Sequence, residues 1–78
     1  MENLMKIGRH IVKLRKEQSI SQEQLALTCE ISTSRLREIE HGGGNPSWDY
    51  LTNIAHGLNT DMPHLLSVIY EMDNDEDK

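Results

Sequence analysis

Four residues suited to helix starts, Ser21, Ser32, Ser47 and Asp61, stand ahead of four short apolar runs and limit what this chain can build. A serine or aspartate oxygen at such a position accepts a hydrogen bond from a backbone N–H two or three residues on, satisfying a donor the helix itself leaves unpaired. Behind each start the apolar residues recur with a helical period rather than alternating. The chain therefore reads as a string of short helices, with no segment patterned as a strand.

A first helix precedes these starts. Leu4, Ile7, Ile11 and Leu14 form its core-facing stripe, while Lys6, Arg9, Lys13 and Lys16 fall on nearly the opposite face, where a solvated face is expected. It ends near Gln18. Ser21-Gln22-Glu23-Gln24 is a capping box that opens a second helix, turning Leu25 and Ala26 inward with Cys29 as a further candidate. Ser32 starts a third helix running through Leu36 and Ile39 to about His41, and Gly42 is placed to end it in the left-handed conformation. Ser47 starts a fourth, with Leu51, Ile54, Ala55 and Leu58 on one face and Asn59 as its left-handed terminator. Asp61 starts a fifth, which tolerates Pro63 in its first turn and carries Met62, Leu65, Leu66 and Ile69 as its stripe. The expectation is one all-α, five-helix domain over residues 1–72. Residues 73–78, an acidic tail, are expected to be disordered.

Size and composition narrow the function. A chain of 78 residues makes one domain and leaves little room for an enclosed pocket. A single cysteine forms no internal disulfide, and no apolar run approaches the ~20 residues needed to span a bilayer. The start, Met1-Glu2-Asn3, lacks the charged and apolar regions of a signal peptide, so a cytoplasmic location and no membrane partner are expected. The net charge of −5, taken whole, argues against a nucleic-acid partner, so it must be divided along the chain. Residues 1–46 hold seven basic and six acidic residues, whereas residues 47–78 hold one basic and seven acidic. A polyanion responds to local charge, and the acid is concentrated at one end.

Residues 21–42 carry the functional signal. Two capped helices separated by the short break Thr28-Cys29-Glu30-Ile31 form a helix-turn-helix pattern, in which the second helix enters the major groove of DNA. Around it stand Ile7-Gly8, Leu14-Arg15, Leu25-Ala26, Ile31-Ser32, Ile39-Glu40-His41-Gly42, Asn45-Pro46-Ser47, Leu51, Ile54-Ala55 and Leu58. In these residues the chain resembles, without a gap from about Ile7 to Leu66, the phage-repressor-like helix-turn-helix family (Cro/CI or XRE type). The resemblance implies a lambda-repressor-like domain and a transcriptional regulator that binds double-stranded DNA as a homodimer. No cofactor, metal or small-molecule ligand is expected, and with no nucleophile–base–acid set among the residues and little room for a pocket, no enzymatic activity is expected either.

The same resemblance assigns roles residue by residue. Gln22 matches a position that binds the DNA backbone or the edge of the site. Thr33, Ser34, Arg37 and Glu38 match positions facing base edges, and Arg35 one that reaches sugar-phosphate or a flanking base. The chemistry is suitable: arginine reads guanine bidentately, glutamate accepts from cytosine, and small hydroxyls read several bases. The competing reading for Arg35 and Arg37 is an intrahelical pair with Glu38 or Glu40. Arg15 and Glu40 match an ion pair that joins the first helix to the end of the third, a structural role. His41 and Asn45 are further expected contacts to phosphate, with the backbone N–H groups of Gly43, Gly44 and Asn45 as donors. Gly42-Gly43-Gly44 occupies the place where the family usually carries one or two Lys or Arg, so the electrostatic grip is expected to be lighter.

The remaining candidates are weaker. His10, His41, His56 and His64 show no paired ligand spacing, so no zinc site is expected. Cys29 reads as a small core residue, and Trp48 and Tyr50 as core or interface. Leu65, Val68 and Met72 on the last helix form the expected dimer face. A small repressor or a restriction–modification-controller-like autoregulator is the first reading. The alternative is a protein-interaction module on the same fold with little DNA binding, favoured by the net acidity and the neutral glycine loop.

Overall fold

The computed structural model describes residues 2–70. They form α1 (Glu2–Glu17), α2 (Gln22–Cys29), α3 (Thr33–Glu40), α4 (Trp48–Gly57) and α5 (Met62–Leu66), with no strand among the described residues. The expected Met72 face and the 73–78 tail lie outside that range.

Every N-cap read from the sequence is formed. Ser21, Ser32, Ser47 and Asp61 sit in extended conformation and accept from the backbone N–H of Gln24, Arg35, Tyr50 and His64 respectively. At Ser21 the box is complete, because the Gln24 side chain accepts in return from the Ser21 N–H at 2.8 Å.

The helix ends share one device. Ser19, Glu30, Gly42 and Asn59 follow α1 to α4, all with left-handed backbone, φ between 58° and 87°. After each, the next N–H reaches back five residues: Ile20 to Arg15, Ile31 to Ala26, Gly43 to Glu38 and Thr60 to Ala55, at 2.9–3.0 Å. This is the Schellman ending, which satisfies carbonyls the helix leaves open. Gly42 and Asn59 are residue types that adopt this conformation readily. Ser19 and Glu30 are not, and the packing of Ile20 and Ile31 against the core just beyond them accompanies their strain.

Ile11, Leu25, Leu36, Ile54, Ala55 and Leu65 are fully buried, so all five helices contribute to one core. Four placements differ from the sequence reading or narrow it. Lys6 is buried rather than solvated, beside the depression that Val68 also lines. Trp48, read as core or interface, is 64% exposed, so of those two readings the core one falls. α5 is interrupted at Ser67, whose N–H and hydroxyl both donate to the His64 carbonyl and tighten the turn there, and helical backbone resumes over 68–70. Leu65, expected on the dimer face, is entirely buried within the protomer, where it completes the core.

Candidate nucleic-acid interface

α3 is held to the body of the domain by its apolar face and by one polar joint. Leu36 and Ile39 are buried in the core. At the far end of the helix, Arg15 Nε donates to Glu40 Oε2 at 3.0 Å and Nη2 to Oε1 at 3.4 Å, with side chains 12% and 4% exposed. Arg15 Nη1 also donates to the Ile20 carbonyl at 3.2 Å, so the guanidinium ties α1 to the chain entering α2. Gln22 Nε2 donates to Glu40 Oε1 at 2.8 Å. A buried carboxylate is tolerable only when its charge and lone pairs are matched, and here three donor groups match them. No buried side-chain nitrogen or oxygen among the described residues lacks a partner.

The joint sets the direction in which the rest of α3 faces. Ser34, Arg35, Arg37, Glu38 and His41, with the cap Ser32, line an open depression of about 590 Å³ on the outer side of the helix. Five of these six were singled out from the sequence or its family resemblance. Thr33 is half-buried in the first turn and lies outside the depression, as do Gln22 and Asn45. Arg37 is exposed and makes no ion pair among the described residues. Its intrahelical alternative is therefore not realised, and its guanidinium keeps all five donors. Arg35 does pair, with Nη1 3.6 Å from Glu38 Oε1.

At the end of α3, His41 Nδ1 lies 2.8 Å from the Arg37 carbonyl, an acceptor, so this nitrogen carries the proton. A phosphate contact through the other ring nitrogen then requires the doubly protonated ring. Gly43, one of the three expected backbone donors, is already used: its N–H is bonded to the Glu38 carbonyl at 2.9 Å. Among the described residues the N–H groups of Gly44 and Asn45 have no such bond. Asn45 is exposed in left-handed conformation at φ 43°.

Sequence reasoning missed one participant. Tyr50, expected to be core or interface, places its ring 5.0 Å from the Arg35 guanidinium carbon. Nothing in the spacing of α3 and α4 announces this contact, which exists only because the loop folds back. Cys29 is buried at the end of α2 with Sγ 3.5 Å from the Asn53 carbonyl. Burial pushes its thiol pKa up, which favours the neutral, unreactive form. His10 and His64 lie with ring centroids 5.3 Å apart, and His10 Nδ1 is engaged with the Leu65 carbonyl at 2.9 Å.

Two capped helices joined by a tight turn, the second presenting a polar, arginine-bearing face, define a helix-turn-helix DNA-binding domain. The helix-turn-helix family model matches residues 11–65, and the chain belongs to that family, in its XRE type: it is a DNA-binding transcription regulator. Two solved structures share the fold. The clp gene regulator ClgR from C. glutamicum superimposes with a TM-score of 0.81 at 21% identity, over 85% of each chain. The restriction-modification controller protein C.AhdI from Aeromonas hydrophila gives a TM-score of 0.77 at 29% identity, over 85% of this chain and 98% of that one. No curated protein matches in sequence. No helix among the described residues is long and apolar enough to cross a membrane.

Proposed function

We propose that the chain binds a two-fold symmetric operator as a homodimer and regulates transcription by occupancy, as a small repressor or a restriction–modification-controller-like autoregulator. The observation that carries this reading is Arg37: an exposed guanidinium, with no ion pair among the described residues, on the outer face of a helix whose other face is locked into the core. Ser34 and Glu38 flank it in the same depression and complete a surface with both donors and acceptors for base edges. One such helix touches too few base pairs to be selective, and pairing two copies on half-sites about 34 Å apart supplies the rest. Similarity to a restriction-modification controller protein supports the controller reading.

With Leu65 withdrawn into the core, the dimer face rests on Val68, which is half-buried, and on Met72 beyond it. Val68→Glu is expected to give monomers that lose operator binding and keep their helicity; a dimer persisting in sedimentation would rule out this face. The wider test is selection of bound duplexes from a random pool. An enriched palindrome whose affinity falls steeply with salt supports the regulator. No enriched sequence even at low salt supports the protein-interaction alternative instead.

A further inference from the structure

The loop Gly42-Gly43-Gly44 brings no cation of its own to the edge of the interface, yet a guanidinium is held beside it. Arg35 leaves the first half of α3 and lies with its guanidinium carbon 5.0 Å from the centre of the Tyr50 ring, which projects from the start of α4. A methyl group added at Gly44 would come within 3.4 Å of Arg35 Nη1 and 3.3 Å of Glu38 Cβ, so the loop backbone closes on the pair from another side. The Arg35 side chain is only 33% exposed, against 60% for Glu38. What remains open of Arg35 lies in the same depression as Ser34, Arg37 and His41.

An isolated surface Arg–Glu pair at this spacing does not hold a long side chain still. An aromatic ring against the guanidinium face does more, because it covers the face while leaving the N–H edges free for a planar, two-pronged contact with phosphate. The ion pair of Arg35 with Glu38 offsets part of the Glu38 charge, which otherwise repels a phosphate approaching the loop. Fixing the side chain before DNA arrives removes part of the ordering cost of binding.

We propose that Tyr50 is a positioning residue for DNA recognition: with Gly44 it holds Arg35 at the seam of α3 and the glycine loop, where Arg35 supplies the phosphate-binding cation that the loop lacks. The proposal rests on the assignment of the outer face of α3 as the DNA surface. Its test uses the full chain and the duplex enriched from a random pool, with affinities read from the fluorescence of the sole tryptophan or from gel shift. Tyr50→Phe keeps the ring and is expected to bind as the wild type does. Tyr50→Leu is expected to lose about two- to fivefold in affinity, the size of a partly exposed cation–π contact. In an Arg35→Ala background the same Tyr50→Leu change is expected to cost nothing further, because Tyr50 acts only through Arg35.

A readout free of DNA separates the proposal from its premise. Ring current should move the Arg35 Hδ proton resonances upfield in the wild type and in Tyr50→Phe, and Tyr50→Leu should return them to ordinary values. Undiminished affinity in a folded Tyr50→Leu protein overturns the proposal, as does an equal loss with Arg35 already removed. If the wild type enriches no duplex, the DNA surface and the proposal fall together, even where the proton shifts show the stack to be real.

Discussion

Two arginine–glutamate pairs lie on or against the same helix, and they do opposite things. Arg15–Glu40 joins two helices through residues 25 apart in sequence, at 3.0 Å, nearly sealed from water and reinforced by Gln22 and the Ile20 carbonyl. Arg35–Glu38 joins neighbours on one turn, at 3.6 Å, with Glu38 mostly exposed. The first pair fixes α3 in the fold, and the second adjusts the charge of its outer surface. Residue type is the same in both; burial and the number of supporting hydrogen bonds separate a structural joint from part of a reading face.

The contrast breaks most visibly at Glu40. Glu40→Ala leaves the Arg15 charge in a largely buried site, and a loss of about 3–5 kcal/mol is expected in urea denaturation. Replacing both partners, as Arg15→Met with Glu40→Leu, should cost much less than Glu40→Ala alone, since no stranded charge is left. Equal losses would mean that the joint acts through packing.

On the outer face the effects move from stability to recognition. Arg37→Ala is expected to leave the melting temperature unchanged and to cost about 1–3 kcal/mol of discrimination at one base pair of the operator. Binding titrations on single-base variants of the site would show it, and a uniform loss across all variants would recast Arg37 as a phosphate contact. Gly43→Lys tests the light grip of the loop. A Cβ there meets only the Glu38 carbonyl oxygen, at an ordinary 3.6 Å, so the side chain fits. It should steepen the slope of log affinity against log salt by about two for the homodimer, one per protomer, and raise affinity at low salt, without altering the preferred sequence. Glu38→Gln is expected to change stability by no more than ~0.5 kcal/mol, as for an exposed pair on one helix turn. A larger loss on denaturation would show that the two pairs differ less than their burial implies.

Much of the fold was legible because its punctuation is chemical and local. The four N-caps, the left-handed residues Gly42 and Asn59, and the core stripes around Ile11, Leu36 and Ile54 each follow from a side chain and its near neighbours in sequence. The interface was legible in part. Ser34, Arg37, Glu38 and His41 fall on one outward face by helical spacing, whereas Thr33 is half-buried outside the depression they line and Gln22 is committed to Glu40. The last helix was read too generously: periodicity gave Leu65 both to the core and to a dimer face, and a single side chain cannot serve both when it is fully buried.

The sequence by itself determined where helices begin, which faces are apolar and which polar residues ride on the outer side of α3. Those are properties of spacing and of hydrogen bonds within a few residues. Only the tertiary structure decided that Ser19 and Glu30 take the left-handed conformation, that Lys6 is covered and Trp48 is not, and that Tyr50 lies against Arg35. Each of these depends on which distant surface arrives next to the residue. Packing can impose a strained backbone or fix a long side chain that local preference leaves free, because the burial gained across the whole core exceeds the local cost.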